Sequence, residues 1–131
     1  MADETYPDEL RYHPEHGWAR IDGDEATFGI TWYAQDSLGE VVFFEPPEVG
    51  ATVSKDQTYA EVESVKAVSD VIAPLSGEVL EVNRAVADAP ETVNDDPYGE
   101  GWLVRVRLTD PGEADALMNA EAYKQHLAEQ G

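Results

Sequence analysis

A chain of 131 residues is long enough for one compact domain that needs no covalent staples, and its lack of cysteine excludes a disulfide framework, a thiolate nucleophile and a thiolate metal site. Its 28 Asp and Glu against 8 Lys and Arg give a formal net charge of -20, which argues against nucleic acid and anionic membrane surfaces as partners. The acids are dispersed along the whole chain, so they read as a solvated surface that keeps molecules apart and steers basic partners toward it, and an excess of this kind also accompanies life in high salt.

The first residues, Met1 to Thr5, are acidic and carry no apolar run, unlike a signal or transit peptide. No stretch has the apolar length of a membrane span. A cytoplasmic protein is therefore expected. Residues 1–11 read as a loosely held, polar, turn-rich arm. His13 and His16 stand three apart, but Pro14 and Gly17 make this a turn and no further ligand completes a metal site. Residues 18–21 and 26–30 read as two strands joined at Asp22-Gly23-Asp24. Thr31 is the expected N-cap of a short helix over 32–38, which Gly39 ends. Residues 40–45 (EVVFFE) form a strand that Pro46-Pro47 breaks, and Thr52-Val53 begins another.

Residues 57–83 are the centre of the chain. Thr58, Ala60, Val62 and Ser64 alternate with Tyr59, Glu61 and Glu63; beyond Lys66, Val68, Asp70 and Ile72 alternate with Ala67, Ser69 and Val71. This period of two predicts a hairpin with Lys66 at or beside its tip. Its turn lacks the usual Asn-Gly, Asp-Gly or Gly-X pair. On strand logic alone Lys66 reads as a charge that blunts a sheet edge. Ala73-Pro74-Leu75-Ser76-Gly77 is a second turn, and residues 78–83 are a further strand.

Residues 84–98 read as an ordered loop with one helical turn around 91–93. Residues 102–108 alternate, with Val104, Val106 and Leu108 inward and Arg105 and Arg107 outward. Asp110 and Pro111 open a helical tail as N-cap and first helical residue. A last helix over 119–130 has Asn119 as N-cap, Ala120, Tyr123 and Leu127 at helical spacing, and His126 exposed. The expected fold is mainly β: a small β-sandwich or barrel, with the lysine on a hairpin. The expected organisation is a single domain over 1–131, with helices over 110–130 packed on the β core. Dinucleotide-binding, phosphate-loop and nucleophile-elbow motifs are missing, and Ser37, Ser64, Ser69 and Ser76 have no neighbouring His. The chain is not expected to catalyse a bond change on its own.

Five ordered blocks carry a family resemblance. They are Tyr12 to Trp18; Gly29-Ile30-Thr31 with Tyr33-Ala34-Gln35-Asp36 and Leu38-Gly39; Val41 to Gly50; Glu63-Ser64-Val65-Lys66-Ala67 with the segment after it to Asn83; and Val93 to Trp102. Together they resemble the H proteins of the glycine cleavage system, from about Tyr12 to about Leu127. The resemblance implies a barrel-sandwich hybrid of the lipoyl/biotinyl-carrier kind, in which Lys66 carries lipoic acid in amide linkage. It implies an arm that takes an aminomethyl group from glycine decarboxylase, a pyridoxal-phosphate enzyme, and delivers it to a tetrahydrofolate-dependent aminomethyltransferase. Dihydrolipoamide dehydrogenase would reoxidise the arm, and a lipoate ligase or lipoyl transferase would install it. The chain would be a monomer. Asp70, Glu15 and Ser37 are the implied residues against which the loaded arm parks. Two positions depart from the family pattern: Gly17 replaces an acidic residue, for which Glu15 could substitute, and Trp32 replaces a small polar one. The alternatives are an H-like relay that passes lipoyl groups to other complexes, an unmodified interaction module and a biotin carrier. The last is disfavoured by Val65 and Ala67, where biotinyl domains place methionine.

Overall fold

The computed structural model describes residues 3–130, so the first two residues of the expected arm lie outside the described residues. Two antiparallel sheets form the β core. The larger has the order β1 (Arg11–Tyr12), β2 (Gly17–Asp22), β3 (Glu25–Ile30), β9 (Val104–Leu108), β8 (Gly77–Val82), β5 (Thr52–Val53). The smaller has the order β4 (Val41–Glu45), β6 (Thr58–Ser64), β7 (Val68–Ile72). Side chains from both sheets meet in one apolar core that includes Phe28, Phe44, Val62, Val71, Val79 and Val106. Burying each such side chain contributes about 1.5–3 kcal/mol. The alternation of β9 is as expected, with its valines and Leu108 buried and its arginines exposed. Arg105 reaches Glu81 at 2.8 Å and Glu25 at 3.4 Å, surface pairs that contribute little.

Short helices close the ends. Helix α1 (Trp32–Leu38) starts at Thr31, whose hydroxyl accepts from the Ala34 N–H, and ends at Gly39 with φ 80°. Residues 84–98 hold two helices where one turn was expected: α2 (Arg84–Asp88) and α3 (Thr92–Asp95). The Asn83 carboxamide explains α2. Its oxygen accepts from the Ala85 N–H, and its nitrogen donates to the carbonyls of Glu100 and Trp102. Asn94, on α3, is buried and ties three elements together. It donates to Gln35 Oε1 and to the Gly39 carbonyl, and accepts from the Val41 N–H. A 3-10 helix (Pro111–Ala116), N-capped by the Asp110 side chain, precedes α4 (Ala120–Gln130).

Three expectations need correction. The arm over 1–11 is not loosely held where it is described: Tyr6 and Leu10 are buried with Tyr12, Trp18, Tyr98 and Tyr123 in a second, aromatic cluster. Tyr12 donates to the Pro7 carbonyl at 2.7 Å, and Tyr6 meets the Tyr123 ring edge-on at 5.4 Å. Tyr123 comes from α4, more than a hundred residues away. His126 is half-buried, with its ring 3.2 Å from the Pro14 carbonyl. Finally, Tyr59 does not share the outward face of Glu61 and Glu63. A β-bulge between Thr58 and Ala60 turns it into the core against Phe28, leaving Thr58 exposed.

Gly77 is the first residue of β8, not a left-handed turn residue; a methyl group there would collide with the Arg107 carbonyl on β9. Among the described residues, no helix is long and apolar enough to cross a membrane.

Candidate functional site

The lysine turn spans three residues between β6 and β7. Ser64 supplies what the missing glycine does not. Its N–H donates to the Ala67 carbonyl at 2.7 Å, and its hydroxyl oxygen accepts from the N–H groups of Lys66 at 3.3 Å and Ala67 at 3.1 Å. The Val65 N–H donates to the Glu40 carbonyl at 3.1 Å, tying the turn to the segment before β4. Lys66 itself is exposed, and its amine makes no ion pair or hydrogen bond with the described residues. Its stem passes the end of α1: a methyl placed on Gly39 would sit 3.6 Å from Lys66 Cε. The turn thus fixes the Lys66 backbone while leaving the side chain free.

Beside the hairpin lies a cleft of about 180 Å³, lined by Glu15, His16, Tyr33, Ser37, Ser69 and Asp70 among others. The fold therefore brings Glu15, Ser37 and Asp70 to one hollow from three separate segments. Gly17 also lines it, and its missing side chain faces the Ile72 and Gly29 carbonyls. Trp32 does not line this cleft. It packs against the aromatic cluster, and its N–H donates to the Tyr98 hydroxyl at 2.9 Å. A wider hollow of about 750 Å³ shares Glu15, Ser69 and Asp70 with the cleft and is otherwise lined by His13, Lys55 and Asp56, among others.

The histidines of the first turn have separate partners. His13 Nδ1 accepts from the Glu15 N–H, so Nε2 carries the proton and donates to Asp56 at 2.6 Å. That hydrogen bond holds the Asp56 carboxyl below its ordinary pKa. His16 lies 2.8 Å from the Tyr123 hydroxyl, which is 2.8 Å from Thr31 Oγ1. One orientation gives every proton in this chain a partner: Ala34 N–H to Thr31, Thr31 O–H to Tyr123, Tyr123 O–H to unprotonated His16 Nδ1. Burial, helped by neighbouring His126, lowers the His16 pKa and keeps the ring neutral, as this orientation requires. Among the described residues, His16 and Asp56 are the non-glycine residues with positive φ, at 73° and 70°; His16 lines the cleft and Asp56 the wider hollow. Backbone of this kind persists where the surroundings hold it, often at functional sites. Sequence reasoning missed the His13–Asp56 and His16–Tyr123–Thr31 links, which join residues 43 and 107 positions apart.

The outer face of the small sheet carries two rows set by its register. Phe43, Glu63 and Val68 form the row nearest the lysine, and Glu45, Glu61 and Asp70 form the next. A bulge between Val41 and Phe43 leaves both Val42 and Phe43 exposed.

A two-sheet β module that holds a lysine on a tight hairpin beside a small cleft has the fold of the lipoyl-carrier class. The chain resembles, with a TM-score of 0.86 and 44% sequence identity, the crystal structure of a glycine cleavage system H protein from Mycobacterium marinum, over 93% of this chain and 98% of that one. It is 51% identical over 126 residues to the glycine cleavage system H protein of Halorhodospira halophila, covering 95% of this chain and 97% of the relative. It is 54% identical over 124 residues to the corresponding protein of Rubrobacter xylanophilus, covering 95% and 96%. The glycine cleavage H-protein profile matches residues 10–130. The chain belongs to the glycine cleavage H-protein family.

Proposed function

We propose that Lys66 is the lipoylated residue and that the chain is the lipoyl carrier of a glycine cleavage system. It would move an aminomethyl unit from glycine decarboxylase to aminomethyltransferase and return to dihydrolipoamide dehydrogenase for reoxidation. The observation that carries this reading is an exposed amine, without an ion pair or hydrogen bond among the described residues, on a turn latched by Ser64, in a chain of this family. The donor chemistry fits: a primary amine free of carboxylate partners can be acylated, and acylation removes its charge. When bound, lipoic acid supplies a disulfide that accepts the one-carbon amine unit and a dithiol that is later reoxidised.

The residues of the chain have positioning roles. The latch fixes the origin of the arm. Glu15 and Asp70 hold a cationic end group in the cleft by charge-assisted hydrogen bonds, and the Ser37 hydroxyl adds a third contact. Glu15 takes the place of the carboxylate that Gly17 lacks. The chain acts as a cytoplasmic monomer, without catalysis of its own, and a lipoate ligase or lipoyl transferase modifies it.

Mass spectrometry of the 61–70 peptide from the native host tests the assignment. A lipoyl increment on Lys66 is expected; a bare Lys66 in cells that cleave glycine refutes it. A lipoylated chain that does not sustain glycine decarboxylase would support the relay alternative.

A further inference from the structure

We propose that Phe43, Val68 and Val65 form an apolar collar that docks the enzyme acylating Lys66, and that the partners served by the finished arm do not need it. The inference rests on Lys66 being the acyl acceptor.

Three observations carry it. Val65, Val68 and Phe43 are 69%, 58% and 49% exposed, high for apolar side chains gathered around one residue. Val65 adjoins Lys66 in the turn, and the register sets Val68 and Phe43 on either side of Glu63 on one face. The β4 bulge is what turns Phe43 outward together with Val42, and bulges re-aim side chains in this way. Nothing in the core requires the exposure of Phe43, since Val41 and Phe44 fill the inward positions of β4.

The neighbouring row defines the occupant. Glu45, Glu61 and Asp70 lie directly opposite one another across three strands. Like charges in such pairs destabilise a sheet, so a partner with cationic groups at this rim relieves a cost the free chain bears. The complementary surface has an apolar centre and a basic margin. A second copy of this chain fits poorly, because two molecules of net charge -20 repel.

Reach decides which partner needs the collar. The Lys66 amine stands about 6 Å from its Cα, five bonds of about 1.5 Å in zigzag. An enzyme that takes this amine into its active site must cover Val65, Val68 and Phe43. In the acylation step the deprotonated amine attacks the carbonyl carbon of an acyl adenylate. The N–C bond forms, the C–O bond to AMP breaks, AMP leaves, and the nitrogen gives up a proton to solvent. Once acylated, the arm is roughly twice as long. Enzymes acting at its far end work beyond the collar.

The test uses the full chain in apo form, with Phe43→Thr and Val68→Thr separately and together, and Val49→Thr as an exposed control on the loop after β4. Threonine keeps the strand preference, and unchanged thermal unfolding confirms the fold. Acylation by a lipoate ligase with lipoate and ATP is followed by intact mass, and ligase binding by calorimetry. The double variant is expected to lose at least tenfold in kcat/KM and to bind the ligase correspondingly more weakly, with Val49→Thr within twofold of wild type. After exhaustive acylation, reoxidation of the double variant by dihydrolipoamide dehydrogenase is expected within twofold of wild type. Acylation of the double variant at the wild-type rate overturns the collar alone. So does an equal loss in both assays, or a wild-type dimer that the variant cannot form. A wild type that takes no acyl group overturns the carrier reading and the collar with it.

Discussion

Replacing Tyr123 by Phe tests whether α4 is joined to the cleft by one hydrogen-bonded chain. The ring is fully buried and stacks on Tyr12 at a centroid distance of 4.8 Å, so Phe keeps the packing and opens no cavity. Burial raises the Tyr123 pKa, so its hydroxyl stays protonated and able to donate at neutral pH. Its loss deprives His16 Nδ1 of a donor and Thr31 of an acceptor. Thr31 still accepts from Ala34 N–H and keeps its cap, but its hydroxyl is fully buried and loses its acceptor, whereas half-buried His16 lines the cleft, so the main cost falls on Thr31. Leaving a buried donor unpaired costs about 1–3 kcal/mol. For a chain of 131 residues, about 4 °C of Tm corresponds to each kcal/mol, giving a fall of about 4–12 °C. Thermal unfolding of Tyr123→Phe, His16→Leu and the double variant measures the coupling, expected at about 0.5–3 kcal/mol. A Tm unchanged by Tyr123→Phe, or additive effects in the double variant, would refute the chain.

His16 also sets an acid limb. Its folded pKa is lowered from 6.5, chiefly by burial, so its contribution is present above 6.5 and is lost as pH falls from there toward the folded value. Between pH 7.5 and 5.5 the wild type should lose Tm relative to His16→Gln, and parallel curves would refute this. Gly77→Ala should cost about 1–3 kcal/mol by overpacking, since its methyl meets the Arg107 carbonyl and cannot withdraw without breaking the Gly77–Leu108 pairing; a lower urea midpoint at unchanged m-value is the expected result. The acid excess repels itself, and among the described residues Arg105 and Arg107 pair with Glu25, Glu81 and Glu78. Raising KCl from 0.1 to 1 M shortens the Debye length from about 10 to about 3 Å and should raise Tm; a flat or falling Tm would count against surface repulsion as a force in this fold.

Elements with local signals were legible in the sequence. Thr31 and Gly39 mark both ends of α1 because capping is settled within four residues. The β9 alternation was legible because one face of the strand is buried and the other solvated. Helix α3 was legible only as one turn around 91–93 and α2 not at all, since four or five residues are too few for a periodic pattern and their stability comes from Asn83 and Asn94 reaching distant carbonyls. Nor were the bulges, which cost Tyr59 its expected face: an extra residue in one strand shows only against its partner. Lys66, Glu15, Ser37 and Asp70 became candidates through family resemblance. Their convergence depends on β7 lying at the sheet edge next to α1 and the first turn, an arrangement that no single segment encodes.

The Ser64 latch has a consequence for encounter. A residue on a floppy loop presents a blurred target, and each visitor must first freeze it. Here the pivot is stationary and only the side chain sweeps, so any visitor meets the same hemisphere of reachable points each time. Loosening that anchor, for instance with Ser64→Gly, would blur the origin of the sweep while leaving the reactive amine chemically the same.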